Sequence, residues 1–153
     1  MKYALLLMAV IFSFISCKQD DAPDEPTNTE MITSSDWKYE NGGVGDANGN
    51  ISINFSTLTV IPACAFDNSL RFNSNGQGVA YENQNVCASA PVTSNFNWSF
   101  TNNETALNVS GNAVAGLSGN FRIKELTSTR LTLLKDTTVT GFGAVTAIFQ
   151  LKH

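Results

Sequence analysis

The chain has 153 residues and a formal net charge of −4, which fits one domain with an appendage. Six of its 13 acidic residues lie at positions 17–36 beside a single lysine, whereas residues 37–153 carry seven acids and seven bases. The acidic balance therefore belongs to a short segment near the amino terminus. The neutral remainder has no basic stripe of the kind that nucleic-acid-binding surfaces need.

The first segment in chain order is typical of an export signal. Residues 3–16 ("YALLLMAVIFSFIS") carry no charge and follow Lys2, which gives a short basic region and then an apolar region. A transmembrane helix needs about 20 apolar residues, whereas this run is shorter and is followed by acids. We therefore predict a signal peptide over residues 1–16.

Cys17 directly follows "FIS" at the end of this apolar run. The arrangement resembles the lipobox of bacterial lipoproteins, in which the signal is cut before a cysteine that is then acylated; that family prefers Leu where Phe14 stands. The following "CKQDD" is similar to the export signal of Bacteroidetes lipoproteins. The resemblance implies a cell-surface protein of the outer membrane, anchored by palmitate and other acyl chains on Cys17. Each buried CH₂ of those chains contributes about 0.8 kcal/mol to anchoring.

Residues 17–36 ("CKQDDAPDEPTNTEMITSSD") are rich in Pro, Asp, Glu, Thr and Ser. Such a segment buries too little apolar surface to offset its ordering entropy, so it is predicted to be a disordered tether. As a flexible coil, its ends would lie about 25 Å apart.

From Trp37 onward the apolar residues repeat with a period of two, as in "FNWSF", where Phe96, Trp98 and Phe100 share one face. This alternation is typical of half-buried antiparallel strands. Asn-Gly in "NSNGQG" and the polar segments at 101–105 and 127–129 indicate hairpin turns. Strands are predicted near 37–40, 51–55, 57–61, 69–73, 78–82, 96–101, 106–110, 120–126, 130–135 and 144–152. The fold class is therefore all-β, an eight- to ten-stranded antiparallel up-and-down barrel or a sandwich, with the meander favouring the barrel.

Several motifs in this region occur in a characteristic order. They are Trp37, "CAFDNSLRFNSNGQG" from residue 64, Cys87, "FNWSF" from residue 96 and "FRIKELTSTRLTLL" from residue 121. This order resembles the lipocalin-like domains of Bacteroidetes lipoproteins, over residues 37 to about 135. The resemblance implies a small eight-stranded barrel at 37–153, sometimes with an interior ligand cavity. The Gly- and Asn-rich segment 41–61 departs from the family pattern.

Cys64 and Cys87 remain as an even pair once Cys17 is acylated. In an exported chain this favours a disulfide, which would stabilise the fold by about 3 kcal/mol in the chain-entropy model. Two free buried thiols are the alternative. Two cysteines with a single terminal histidine do not favour a metal site.

The sequence gives little support to catalysis or to a cofactor. The one histidine, His153, ends the chain, so a Ser or Cys nucleophile would lack a positioned imidazole. Asp67 and Glu82 are the carboxylates near the presumed barrel mouth, but Asp67 lies in a turn where a carboxylate commonly caps the backbone. "DANGN" at 46–50 begins like a calcium loop, yet Ile51 and Thr57 replace the required Gly and Glu. We therefore expect no enzyme, no cofactor and no metal.

Two hypotheses for function remain. Inward aromatic side chains would line a cavity for a small apolar or amphipathic ligand, and they are Phe55, Phe66, Phe72, Phe96, Trp98, Phe100, Phe121 and Phe149. Alternatively these residues fill the barrel, and the protein is a surface adhesion or accessory lipoprotein that contacts a protein or glycan through its loops. A cavity above about 300 Å³ favours carriage. A packed interior with an exposed apolar patch favours a partner.

Overall fold

The computed structural model describes residues 25–59, 61–88, 90–111, 113 and 116–153, so the predicted signal peptide and Cys17 lie outside the described residues. The strands are Trp37–Gly45 (β1), Ile51–Asn54 (β2), Ser69–Phe72 (β3), Gln77–Tyr81 (β4), Thr93–Thr101 (β5), Ala106–Gly111 (β6), Gly119–Leu126 (β7), Arg130–Val139 (β8) and Gly143–Lys152 (β9). The helices are Asn28–Thr33 (α1), Phe55–Leu58 (α2) and a 3₁₀ helix, Ala63–Asp67. Among the described residues, no helix has the length and apolar character needed to cross a bilayer.

The strands form a closed barrel. Each strand from β3 to β8 pairs antiparallel with the next along the chain, and β9 pairs with β1, where Ile148 lies opposite Gly43. β1 completes the circuit by pairing with β3, where Trp37 lies opposite Leu70. The result is an all-β, eight-stranded up-and-down barrel with β2 as one extra strand, which confirms the predicted fold class.

The glycine-rich part of β1 allows a close approach between strands. A Cβ at Gly43 would collide with the carbonyl oxygen of Ile53, and one at Gly45 with that of Asn50. β1 can therefore run between β2 and β9 as far as Gly45. The strand predicted at 37–40 was too short, because Gly and Asn in this segment permit packing rather than mark a loop.

Residues 55–59 form a helical turn instead of continuing the strands predicted at 51–55 and 57–61. The N–H of Thr59, which has a left-handed φ of 53°, donates to the carbonyl of Phe55 at 3.0 Å. Phe55 is buried, and its ring centroid lies 5.1 Å from that of Phe149. Burial of this ring outweighs the weak strand preference of the segment.

The last part of the predicted tether is ordered, which corrects the expectation of disorder through residue 36. Thr27 and Glu30 form a capping box at the start of α1, with the Thr27 N–H donating to the Glu30 carboxylate at 2.8 Å. Ile32 is fully buried, and its carbonyl accepts a hydrogen bond of 2.8 Å from Trp37 Nε1. These contacts offset the entropy cost of ordering a short segment of polar composition.

The two ends of the barrel differ. At the helix end, where β1 begins, α1 contacts β3 and β7, which lie on opposite sides of the barrel. The β3–β4, β5–β6 and β7–β8 turns also lie at the helix end. At the mouth end, where β1 ends, lie the β1–β2, β2–β3, β4–β5, β6–β7 and β8–β9 connections. The chain thus enters the barrel at the end opposite the mouth.

Candidate functional site

The aromatic residues predicted to line a ligand cavity belong to the barrel core or pack against it, and they are Phe55, Phe66, Phe72, Phe96, Trp98, Phe100, Phe121 and Phe149. Phe72 meets Phe96 and Trp98 edge-on, with centroid distances of 5.3 and 5.5 Å. The indole N–H of Trp98 donates to the carbonyls of Asn73 and Gln77 at 3.1 and 3.0 Å. Trp98 is thus held in place by both apolar and polar contacts.

Little free space remains in the described part of the interior. The enclosed cavity there has a volume of about 10 Å³ and is lined by Trp37, Tyr39, Ile61, Ala65, Asn68, Leu70, Leu117, Phe149 and Leu151. This volume accommodates at most about one water molecule. Tyr39 stacks on Phe66 with centroids 5.0 Å apart, and burial raises its pKa to about 12. The deep interior is therefore packed.

A larger apolar pocket opens at the mouth end, and we call it the mouth pocket. Its volume is about 250 Å³, and it is lined by Val44, Phe55, Ile61, Gly116, Lys135, Thr137, Val139, Ala147 and Phe149. Strand alternation places Lys135, Thr137 and Val139 on the inner face of β8, continuing the row of the buried Leu131 and Leu133. Of the predicted ligand-binding aromatics, Phe55 and Phe149 line this pocket.

Lys135 brings a positive charge to the mouth pocket. Its ammonium donates to the carbonyl oxygen of Ser118 at 2.6 Å and lies 5.5 Å from the ring centroid of Phe121. A Cβ at Gly119 would come within 3.0 Å of the ammonium nitrogen, so the glycine leaves room for it. The mouth therefore combines apolar walls with one cation.

The Cys64–Cys87 disulfide fastens one side of the mouth end, and it confirms the predicted pairing. It joins the β2–β3 connection to the β4–β5 connection, with a sequence separation of 23. Ala65 and Ile61, close to the bridge in sequence, are buried in the core. The bridge thus holds a wall of the pocket against the barrel.

Asp67 and Glu82, the two carboxylates considered for catalysis, support the β4–β5 connection through hydrogen bonds. One Asp67 oxygen accepts hydrogen bonds from the backbone N–H groups of Gln84 and Asn85, both at 3.0 Å. Glu82 accepts from Asn68 Nδ2 at 2.6 Å and from the N–H of Cys87 at 2.9 Å. Asp67 therefore does cap backbone, although of a segment distant in sequence. Both acids hold the disulfide-bearing loops in place.

The "DANGN" loop is held by its own hydrogen bonds. Asp46 accepts from the N–H groups of Asn48 and Asn50, both at 2.9 Å, and from Asn50 Nδ2 at 2.8 Å. These bonds, above all those from Asn50, lower the pKa of Asp46. The Lys124 ammonium donates to the carbonyl of Asn48. Within the described residues, no group of three His, Cys, Asp or Glu side chains is positioned to hold a metal ion.

His153 lies at the helix end, away from the mouth pocket. Its ring centroid is 3.9 Å from that of Trp37. Burial lowers the pKa of His153, with a further lowering from Arg71 and an opposing effect from Asp36. His153 therefore packs against the core at the helix end of the barrel.

Among the described residues, the large apolar side chains exposed at the mouth end are Val86, Val92 and Phe142, at 50, 66 and 49% exposure. The first two lie on the β4–β5 connection and Phe142 on the β8–β9 connection. Four strands separate these connections in either direction around the closed barrel. The exposed side chains therefore flank the mouth on opposite sides of its rim.

Lys135 was missed by reasoning from sequence, although a signal was present. In "RLTLLKDTTV" it occupies the position after Leu131 and Leu133 in the inward row, where a charge is unusual. Ile61 and Val44 gave no such signal, because the Gly-rich hairpin and the β2–β3 connection bring them to the mouth.

Comparison with known proteins adds no assignment of family. No protein-family model matches the chain. A search of the curated proteins also returns no match. The architecture itself defines a small antiparallel β-barrel that is consistent with a calycin-like fold.

Proposed function

We propose that the protein is a Bacteroidetes outer-membrane surface lipoprotein, anchored through acylated Cys17, that binds a small amphipathic molecule in the mouth of its barrel. The action is binding, without catalysis. Support for the anchor comes from the apolar leader, the lipobox-like "FISC" and the acids that follow it. Support for binding comes from the mouth pocket.

The mouth pocket carries the binding proposal. Its volume of about 250 Å³ contrasts with the 10 Å³ left in the packed interior. Binding pockets are characteristically apolar with a small number of polar groups that orient the ligand, and their volumes run from about 300 Å³ upward. The mouth pocket is below the roughly 300 Å³ expected for carriage inside the barrel, and the interior is packed. The proposed site is therefore the mouth, for a small ligand or one end of a larger one.

The position of the anchor fits this use of the mouth. α1 leads into β1 at the helix end, which is opposite the mouth. In this proposal the membrane anchor precedes α1 in the chain. The residues between Cys17 and α1 would then be the spacer between membrane and barrel. With an anchor on that side, the mouth pocket would take its ligand from the surroundings of the cell.

Native mass spectrometry of the purified full chain tests binding directly. Thr137 lines the mouth pocket on the inner face of β8, whereas its neighbour Thr138 is exposed on the outer face. Thr137→Trp fills the pocket, and Thr138→Trp adds the same ring outside it. We expect a small amphipathic molecule to be retained by the wild type and Thr138→Trp but lost from Thr137→Trp. Equal retention in both variants would place the ligand elsewhere.

A second candidate function rests on the exposed side chains Val86, Val92 and Phe142 around the rim. In this alternative the protein is a surface adhesion or accessory lipoprotein that contacts a protein or glycan through its loops. Changing all three residues to Ser would then abolish adherence of cells that display the protein, while Thr137→Trp would leave adherence unchanged. If the triple Ser variant still adheres and Thr137→Trp does not, the result supports binding in the mouth pocket instead.

A further inference from the structure

We propose that the mouth pocket selects amphipathic molecules that carry one anionic group, and that Lys135 binds that group. This inference rests on the proposed function and names the chemical class of its ligand. It follows from the position of Lys135, from the partners its ammonium has and lacks, and from the size of the pocket.

The Lys135 ammonium has unused hydrogen-bonding capacity. A lysine ammonium has three N–H donors, and the hydrogen bond it makes among the described residues goes to the Ser118 carbonyl. The ion pairs of the described residues are Arg71–Asp36, Arg122–Asp136 and Lys152–Glu40, so Lys135 takes part in none of them. A ligand anion would supply the missing negative partner.

The lining of the mouth pocket favours an anion over a cation or a neutral group. Among the described residues that line the mouth pocket, Lys135 alone is charged. The nearest acid in sequence, Asp136, is on the outer face of β8, where it accepts from Arg122 at 3.1 Å and from Thr146 at 2.9 Å. Apolar walls strengthen a charge-assisted hydrogen bond, because they reduce the screening by water.

The size of the pocket limits the apolar part of the ligand. A volume of about 250 Å³ leaves room for a short apolar chain only. Phe55, Val139 and Phe149 offer such a chain apolar contacts. Octanoate, a short alkyl chain with a terminal carboxylate, is therefore a suitable probe of the pocket's size and charge.

Isothermal titration calorimetry of the purified full chain at neutral pH tests this with three probes of one chain length: octanoate, octanol and octylammonium. We expect octanoate to bind at least tenfold more tightly than the other two. Lys135→Met keeps the length of the side chain without its charge, and it should weaken octanoate binding at least tenfold while changing octanol binding less than about twofold. Lys135→Arg should retain octanoate within about threefold.

Lys152→Met is the matched control, because Lys152 pairs with Glu40 at the helix end, far from the mouth pocket. It should leave all three affinities unchanged. If octanoate and octanol bind equally and Lys135→Met weakens neither, the inference about charge is wrong while binding in the mouth stands. If none of the three probes binds, the proposed function fails with it. If octylammonium binds more tightly than octanoate, the assignment of Lys135 is wrong. Circular dichroism of each variant shows whether a loss of binding comes from a loss of fold.

Discussion

Trp37 Nε1 donates a hydrogen bond of 2.8 Å to the carbonyl oxygen of Ile32, and this bond ties α1 to the first strand of the barrel. Both residues are fully buried. The bond satisfies a carbonyl near the carboxyl end of a six-residue helix, where backbone acceptors lack partners within the helix. The indole group of Trp37 therefore contributes to the closure of the helix end.

Trp37→Phe should destabilise the protein substantially. It removes the donor and leaves a buried carbonyl unsatisfied, which costs about 1–3 kcal/mol, and it also removes buried ring volume. Urea unfolding followed by circular dichroism measures the change. Phe142→Leu alters an exposed apolar residue and should stay within about 0.5 kcal/mol of the wild type. Equal stability of the two variants would show that α1 does not depend on this bond.

Reduction of the Cys64–Cys87 disulfide should lower the free energy of unfolding by about 3 kcal/mol in the chain-entropy model. The backbone contacts of Asp67 and Glu82 remain after reduction, so the barrel should stay folded while the β4–β5 connection gains mobility. Urea unfolding with and without dithiothreitol measures the loss. A variant with alanine at both positions should show the reduced value under both conditions. If the urea midpoint of the wild type is the same with and without dithiothreitol, the prediction is wrong.

Phe96→Ala should create a cavity in the packed interior and cost about 3–5 kcal/mol. Phe96 is buried, touches Phe72 edge-on and also fills the space left by Gly78, where a Cβ would collide with its ring. Asn97→Ala, at the next position on the outer face of β5, is the matched control. It should change the free energy of unfolding by less than about 0.5 kcal/mol. Similar losses in both variants would argue against a filled barrel.

The regular strands could be predicted from sequence because their side chains alternate between core and solvent. In β5, Phe96 and Trp98 face inward while Asn97 and Ser99 are exposed, which is the pattern that the sequence displays. Pairing of Cys64 with Cys87 was predicted by counting cysteines in a chain that we expected to be exported. Local pattern and redox chemistry were sufficient for these features.

The remaining features depend on contacts between distant parts of the chain. α2 forms because Phe55 packs on Phe149, which is far away in sequence. α1 carries a capping box that the sequence displays in "TNTE", but its order also requires burial of Ile32 against the barrel. The mouth pocket joins residues of β1, β8 and β9 with two connections. Composition and periodicity describe single segments and therefore missed these contacts.

His153 should make stability depend on pH through the helix end. Its ring packs on Trp37, and its Nε2 atom is buried with no hydrogen-bond partner among the described residues. Burial lowers its pKa from the ordinary 6.5, Arg71 lowers it further and Asp36 opposes this. The unfolded chain therefore binds the proton more readily than the folded one. The stabilising contribution is present above the pKa of the unfolded chain and is lost as pH falls through the lower pKa of the folded state.

The free energy of unfolding should therefore fall as the pH drops below about 7 in the wild type, and less steeply in His153→Phe, which keeps a ring against Trp37. Asp46 and Asp136 do not interfere with the measurement of the His153 titration. Hydrogen bonds lower their pKa values from 3.8, so their contributions to stability are lost only in stronger acid. Urea unfolding at a series of pH values gives both slopes. If the slopes of the two proteins coincide, a group other than His153 titrates, and the packing at the helix end does not depend on a neutral imidazole.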